Sequence, residues 1–134
     1  MKDVSDQIEY RSTRDLPRDG VLAIYTACGW SSAEKPDQLM AALAGSHEVV
    51  SAWDGDRLVG LGNAITDGAL VVYFPHLLVH PDLQQRGIGG EILRRLMDRY
   101  VGFHQQVLLT DNETTVFYER IGFRQAKGVQ AMRI

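Results

Sequence analysis

The stretch Gln84-Gln85-Arg86-Gly87-Ile88-Gly89-Gly90 lies between an apolar run, Leu70 to Val79, and an amphipathic one, Glu91-Ile92-Leu93-Arg94-Arg95-Leu96-Met97. The first run has the composition of a buried strand, and the second has the apolar spacing of a one-faced helix. The chain must therefore pass from strand, through a glycine-rich turn, into a helix start. That passage aims free backbone N–H groups and the positive end of a helix dipole at one spot. Glycines let an anion come close to the backbone, so a phosphate-bearing ligand is the expected occupant. Two familiar phosphate loops fit poorly. A P-loop needs Gly-Lys-Ser/Thr, which is absent. A dinucleotide fingerprint follows the first strand of a β-α-β unit, whereas this loop follows several strands joined by tight turns.

The chain of 134 residues suits one domain, taken as residues 1–134, with 45% hydrophobic and 23% charged residues. The formal net charge is -3 and no Lys/Arg block appears, so duplex nucleic acid is not an expected partner. Arg94, Arg95 and Arg99, interrupted by Asp98, read as a solvated helix face. No apolar run approaches the roughly 20 residues of a membrane span. The single cysteine, Cys28, has no internal disulfide partner, and Met1–Asp6 show no apolar leader segment. A cytoplasmic setting is expected. Cys28 ends the apolar stretch Ala23–Cys28 and reads as a small core residue. His47 and His104 lack acidic or cysteine partners at metal-ligand spacing, so no metal is expected.

Residues 7–12 alternate like a half-buried strand. Leu16 to Cys28 reads as a helix with Leu16, Val21, Ile24 and Tyr25 on one face, Pro17 in its first turn and Gly29 at its end. Pro36 to Ala44 is a second helix, closed by Gly45. His47–Trp53 and Arg57–Thr66 form a hairpin about Asp54-Gly55-Asp56. After Asp67-Gly68 comes one long apolar strand to Val79, then the glycine loop and a helix from about Gly87 to Tyr100. Gly102 precedes a short buried strand, Gln106–Thr110. Glu113–Ile121 is helical, with Asp111 or Asn112 as N-cap, and Gly122 stops it. Phe123–Gln125 and Val129–Ile134 read as two closing strands about Lys127-Gly128. The order β-α-α-β-β-β-α-β-α-β-β predicts an α/β protein, a mixed sheet with helices on its faces.

Leu77-Leu78-Val79-His80-Pro81-Asp82-Leu83-Gln84-Gln85-Arg86-Gly87-Ile88-Gly89 resembles the acetyl-CoA motif of the GNAT acyltransferase superfamily. In that motif an apolar strand and a proline step precede Gln/Arg-x-x-Gly-x-Gly/Ala, here Gln84-x-x-Gly87-x-Gly89. Asn112 followed by Phe117-Tyr118-Glu119-Arg120-Ile121-Gly122-Phe123 is similar to the family's downstream helix. The element order matches as well, and the resemblance covers nearly the whole chain. It implies a small N-acetyltransferase with a central mixed sheet, a splayed strand and helices on both faces. It further implies acetyl-CoA as co-substrate, no metal, and direct transfer to a primary amine in a ternary complex.

Site roles follow from the resemblance. The backbone at Leu78 and Val79 would pair with the pantetheine arm, and an N–H there would polarise the thioester carbonyl as charge grows on it. Gln84, Gln85, Arg86, Gly87, Ile88, Gly89 and Gly90 would form the pyrophosphate cradle, in which the Arg86 side chain either adds charge or is simply solvated. Tyr118 would protonate the departing thiolate; its rival role is a core aromatic. Asn112 would bond CoA or serve only as an N-cap. Small members of the family often carry Asp two residues before the apolar pair. Here that position is His76, a general base, a holder of the basic water, or a structural histidine.

The acceptor side in this fold would draw on Tyr25, Trp30, Asn63, Tyr73, Phe74 and the segment Gly29 to Pro36. Asp67 and Glu48 are the acidic residues for a cationic amine. The Gly29-Trp30 segment and compact length are similar to small bacterial members and to the core of plastid serotonin/lysine acetyltransferases, which implies an amine of a small molecule or of a peptide or protein. Pairing of two copies through Val129–Ile134 is an expectation of the same kind. A non-catalytic acyl-CoA sensor on this fold is the alternative, and an acyl donor longer than acetyl depends on the depth of the groove.

Overall fold

The computed structural model describes residues 7–134; Met1–Asp6, on which the leader reading rests, fall outside them. In chain order the elements are β1 (Ile8–Ser12), α1 (Arg18–Ala27), α2 (Pro36–Gly45), β2 (Glu48–Asp54), β3 (Arg57–Thr66), β4 (Val71–Tyr73), β5 (Leu77–Val79), α3 (Ile88–Asp98), β6 (Gln105–Val107) and α4 (Thr115–Ile121). Short 3-10 turns occupy Ser31–Glu34 and Pro81–Leu83. The sheet runs β1-β2-β3-β4-β6, with β5 also on β3. Only the β4–β6 pair is parallel.

Local signals account for most boundaries. Pro36 opens α2, where its missing N–H would be unpartnered anyway. Gly29, at φ +73, turns the chain off α1, and Gly55, at φ +60, makes the β2–β3 hairpin. β2 is covered on both faces and is buried from Glu48 to Trp53. One face packs on α1 and α2 through Val21, Ile24, Tyr25, Leu43, Val49 and Leu61. The other packs on α3 through Val50, Ala52, Val59, Ile92, Leu93 and Leu96.

β3 fits this double cover by a bulge. Trp53 pairs with Leu58 and Ala52 with Gly60, so Val59 is the extra residue. Val59 and Gly60 then both turn to the α3 side, while Leu58 and Leu61 face α1. The glycines of β3 let α3 lie close. A Cβ at Gly60 would stand 3.1 Å from Ile92 Cδ1, and one at Gly62 3.0 Å from both Ile92 Cγ2 and Leu96 Cδ1.

Three expected elements differ. The single long strand to Val79 is two short ones, β4 and β5, interrupted at residues 74–76. The strand expected at Gln106–Thr110 is Gln105–Val107, and it is a partly exposed edge. No strand forms over 123–125 or 129–134. Gly128 does turn, at φ +79, but residues 124–134 lie exposed, Met132 at 91%, and make no strand pairing among the described residues. Polar–apolar alternation needs a partner edge to become a strand, and the adjacent edge, β6, is only three residues long. The helix expected from Glu113 starts at Thr115, because the Asp111 side chain holds Glu113 and Thr114 in a turn before it.

Gly62→Val should lower stability by about 1–3 kcal/mol, since the added methyls must displace Ile92 or Leu96 in a filled layer. A urea titration of the variant beside the parent chain measures it.

Candidate active site

The interruption at residues 74–76 builds the site. Tyr73 pairs with Ile65 and Leu77 with Gly62, so Phe74, Pro75 and His76 oppose only Asn63 and Ala64. This is a bulge, and Pro75 suits it because proline cannot donate to a ladder. Asn63 holds it in place. Its Oδ1 accepts the His76 N–H at 2.9 Å, its own N–H donates to the His76 carbonyl at 3.2 Å, and its Nδ2 donates to Ser46 Oγ at 3.0 Å. Phe74 turns the opposite way and donates its N–H to the Val107 carbonyl at 3.0 Å. Upstream of the bulge the strand therefore lies beside β6; downstream, β5 has β3 alone. The chain after Val107 diverges from β5, and a wedge opens between them.

The ladder decides which backbone groups face that wedge. His76 and His80 both bond to β3, through the Asn63 N–H to the His76 carbonyl and the His80 N–H to the Val59 carbonyl at 2.8 Å. Antiparallel pairs alternate, so Leu78, opposite Leu61, is the bonded pair between them. Leu77 and Val79 turn their N–H and C=O groups outward. The Val79 carbonyl accordingly accepts from Gln84 Nε2 at 3.1 Å and from Cys28 Sγ at 3.3 Å. Of the expected pair Leu78 and Val79, only Val79 offers its backbone to the wedge; Leu77 is the second such residue.

The wedge is a cavity of about 560 Å³. Leu77, Leu78 and Val79 form one wall, Leu109, Thr110 and Asp111 the other, and Tyr118 and Phe117 of α4 flank it. Its far end is the loop Gln84–Gly90, of which Gln84, Gln85, Gly87, Ile88, Gly89 and Gly90 line the cavity. Gln85, at φ 65, and Gly87, at φ 83, are left-handed, a backbone pattern that turns successive N–H groups toward an anion. α3 begins at Ile88, so the N–H groups of Ile88, Gly89 and Gly90 have no acceptor within the helix. The Gln84 side chain is committed to Val79 and ties the loop to the strand. Arg86 is exposed and is not among the lining residues.

Tyr118 is half-buried, its ring edge-on to Phe117 and Phe123. Burial, aided by the charge of Asp111, raises its phenol above the usual pKa of 10.0, so it carries its proton at neutral pH. Asn112 is exposed and lies outside the lining. Neither Asp111 nor Asn112 caps α4: the N-cap is Thr114, with no side-chain cap bond, and Asp111 Oδ1 accepts from the N–H of Glu113 at 2.9 Å and of Thr114 at 3.0 Å in the turn that precedes the helix.

Beyond the bulge lies the other half of the site. The His76 Nδ1 is 2.7 Å from the Tyr25 hydroxyl, and the Trp30 ring stands edge-on to both rings, at 5.0 Å from His76 and 5.8 Å from Tyr25. Tyr25 is fully buried, and burial raises its phenol pKa. Its O–H has His76 Nδ1 as hydrogen-bond partner. A buried O–H with no acceptor costs about 1–3 kcal/mol, so Tyr25 donates and Nδ1 accepts. The imidazole then carries its proton on Nε2. Burial also lowers the His76 pKa, which agrees with the neutral ring. His76 opens on a second cavity of about 380 Å³ with Ser31, Ser32, Glu34, Lys35, Gln38 and Leu39. Trp30 lines the first cavity while touching the histidine of the second.

The family model of the acetyltransferase (GNAT) domain matches residues 14–133. The chain belongs to the GNAT acetyltransferase family. A GNAT-family acetyltransferase of Streptococcus pneumoniae superposes with a TM-score of 0.80 at 27% identity, over 94% of this chain and 98% of that one. The soybean (Glycine max) protein named histone acetyltransferase TAP1 is 27% identical over 95% of this chain. The chain spans 61% of the length of that relative. The aminoglycoside N-acetyltransferase AAC(6')-Iy, solved with CoA, shares the fold at a TM-score of 0.72 and 14% identity, over 95% of this chain and 94% of its own.

Other candidate residues of this GNAT domain take structural places. Asn63 is buried and fully engaged in the bulge, so it presents no group to an acceptor. Tyr25 reaches the acceptor side only through His76. Tyr73 lines neither cavity, and Phe74 is a core residue against Tyr100 and Phe123 that also touches the wedge. Glu48 is buried in an ion pair with Arg99 at 2.7 Å. Asp67 is spent on its own turn, accepting from the N–H of Ala69 and Leu70, and those bonds lower its pKa. Cys28 is half-exposed on the wedge rather than buried, and desolvation raises its thiol pKa. Leu77, Leu109 and Thr110 line the wedge without a motif to flag them.

Asn63→Ala should destabilise the fold by about 1–3 kcal/mol, because it removes both side-chain bonds that close the bulge and strands the His76 N–H. Thermal unfolding measures it, and loss of CoA affinity should accompany it.

Proposed function

We propose that this chain is an acetyl-CoA-dependent N-acetyltransferase acting on a primary amine of a small molecule or a peptide. The observation that carries the reading is the single wedge holding outward backbone groups at Leu77 and Val79, the anion-ready loop at one end and protonated Tyr118 on its flank. The aminoglycoside enzyme supports a small amine as acceptor, and the soybean histone acetyltransferase supports a lysine amine.

The N–H groups of Ile88, Gly89 and Gly90, with the α3 dipole behind them, suit the CoA pyrophosphate. The pantetheine arm lies along β5 as an added strand would, pairing with the outward groups of Leu77 and Val79. The amine lone pair attacks the thioester carbonyl carbon, and its proton passes to water. Negative charge gathers on the carbonyl oxygen, where an outward β5 N–H helps most in the transition state. The carbon–sulfur bond then breaks, and the Tyr118 O–H donates its proton to the departing sulfur. A proton donor must hold its proton, and the raised pKa of Tyr118 ensures that throughout the neutral range.

Release of free thiol from acetyl-CoA with a panel of amines tests the reaction. CoA binding without thiol release over the whole panel would favour an acyl-CoA sensor. Tyr118→Phe should lower turnover by about 10- to 1000-fold with CoA affinity little changed, by kinetics and calorimetry. The sign of its pKa shift sets the pH profile: the acid form is lost only as pH rises, so no alkaline fall due to Tyr118 should appear below pH 10. Gly87→Val should abolish CoA binding, both by straining a left-handed residue and by filling open space above the loop; unchanged affinity by calorimetry would remove the loop from the donor site.

A further inference from the structure

Every hydrogen-bonding atom of His76 but one is already committed. Its N–H goes to Asn63 Oδ1, its carbonyl accepts from the Asn63 N–H, and its Nδ1 accepts from Tyr25. Two ring contacts, to Tyr25 and Trp30, fix the plane of the imidazole. The remaining atom is Nε2, and His76 lines the second cavity. A general base needs a lone pair there. The Tyr25 bond puts a hydrogen there instead.

We infer that His76 is a specificity-determining donor: its Nε2–H holds an oxygen of the acceptor molecule, a carbonyl or hydroxyl oxygen near the reacting amine, and it does not take the amine proton. This rests on the acetyl-transfer reading and adds the substrate class to it. The cavity's other polar side chains are Ser31, Ser32 and Gln38, which are neutral hydrogen-bonding groups, and Glu34 and Lys35, one of each charge, so the lining presents no net charge beside the donor. The donor is rigid, so it selects by position. An amine that places an oxygen at Nε2 satisfies it, and an alkylamine of the same size leaves a half-buried N–H without a partner. The preferred acceptors are amino-acid amides, peptide amines or hydroxyl-bearing amines rather than plain alkylamines.

The test compares an oxygen-bearing amine with its alkyl counterpart in wild type, His76→Gln and His76→Leu. His76→Gln can still place an N–H near the same point but cannot act as a base. It should keep kcat within about 3-fold, and it should keep most of the preference for the oxygen-bearing amine. His76→Leu should cost the oxygen-bearing amine about 10-fold or more in kcat/KM beyond what it costs the alkylamine, whose loss is that of the stranded Tyr25 O–H alone. Nitrogen-15 NMR of the wild-type histidine should show the proton on Nε2, and Tyr25→Phe should release that preference. A loss of about 100-fold or more in His76→Gln for both amines, or a wild-type ring protonated on Nδ1, would overturn the inference. The NMR measurement on the wild type stands even if a variant fails to fold. Absence of thiol release by the wild type with any amine would overturn the transferase reading itself, whereas turnover indifferent to His76 would overturn only this one.

Discussion

One buried amide holds the site together. Asn63 spends its backbone N–H, its Oδ1 and its Nδ2 on three bonds, two of them to the same residue of the facing strand. An extra residue in a strand leaves ladder groups unpaired, and a buried unpaired group is costly. The Asn63 side chain replaces the missing carbonyl for the His76 N–H, which lets the bulge lie in the core. Everything functional depends on that bulge. It parts β5 from β6 to make the wedge, and it turns the backbone of Leu77 and Val79 outward. It also swings the His76 ring toward α1 and α2. The Asn63 Nδ2 bond to Ser46 runs on to the end of α2, since Ser46 Oγ donates to the Ala42 carbonyl at 2.8 Å. The acceptor-side helix and the donor-side strand are thus tied through one side chain.

The two cavities divide the chemistry. The wedge offers backbone donors, a helix start and a phenol, all suited to a long anionic ligand with a reactive end. The second cavity offers side chains of the 3-10 turn Ser31–Glu34 and of α2. Trp30 stands between them, lining one and packing on the histidine of the other. Gly29, left-handed at φ +73, reverses the chain after α1 so that Trp30 reaches this position. A tryptophan in a loop looked free to line a pocket; it lines the wedge and braces His76 at once.

Where local chemistry dictates geometry, the sequence was enough. Gly87, Gly89 and the amphipathic run after them read as a turn and a helix because left-handed backbone and apolar spacing are properties of single residues and short windows. The α1 face of Val21, Ile24 and Tyr25 was legible for the same reason. The bulge was not. Phe74, Pro75 and His76 look like more of an apolar strand, and only the register of β3 across from them shows the extra residue. The family resemblance puts Asn63 in an acceptor pocket, yet its partners lie 13 and 17 residues away and hold it in the bulge. The shift from Leu78 to Leu77 as the outward residue has the same origin, since ladder parity is set by a partner strand. The closing strands failed for want of an edge to join: Val129, Met132 and Ile134 lie exposed.

Three ionisable groups around the two cavities shift one way, and Asp111 on the wedge wall shifts the other, its carboxyl held low by its bonds to Thr114 and Glu113. Burial raises the Tyr118 phenol and the Cys28 thiol and lowers the His76 imidazole, and each shift favours the neutral form. Near neutrality Tyr118 and Cys28 are therefore neutral, and the charged group on the wedge wall, Asp111, is an anion that cannot attract another. Attraction for an anion comes instead from oriented dipoles: the α3 N-terminus and the outward amides of Leu77 and Val79. Dipoles fixed by the backbone need no reorganisation as charge moves from amine to carbonyl oxygen to sulfur, and they do not titrate. A site built this way draws its polarity from the fold. That explains why so few of its working groups are the acidic or basic side chains that a sequence displays most openly.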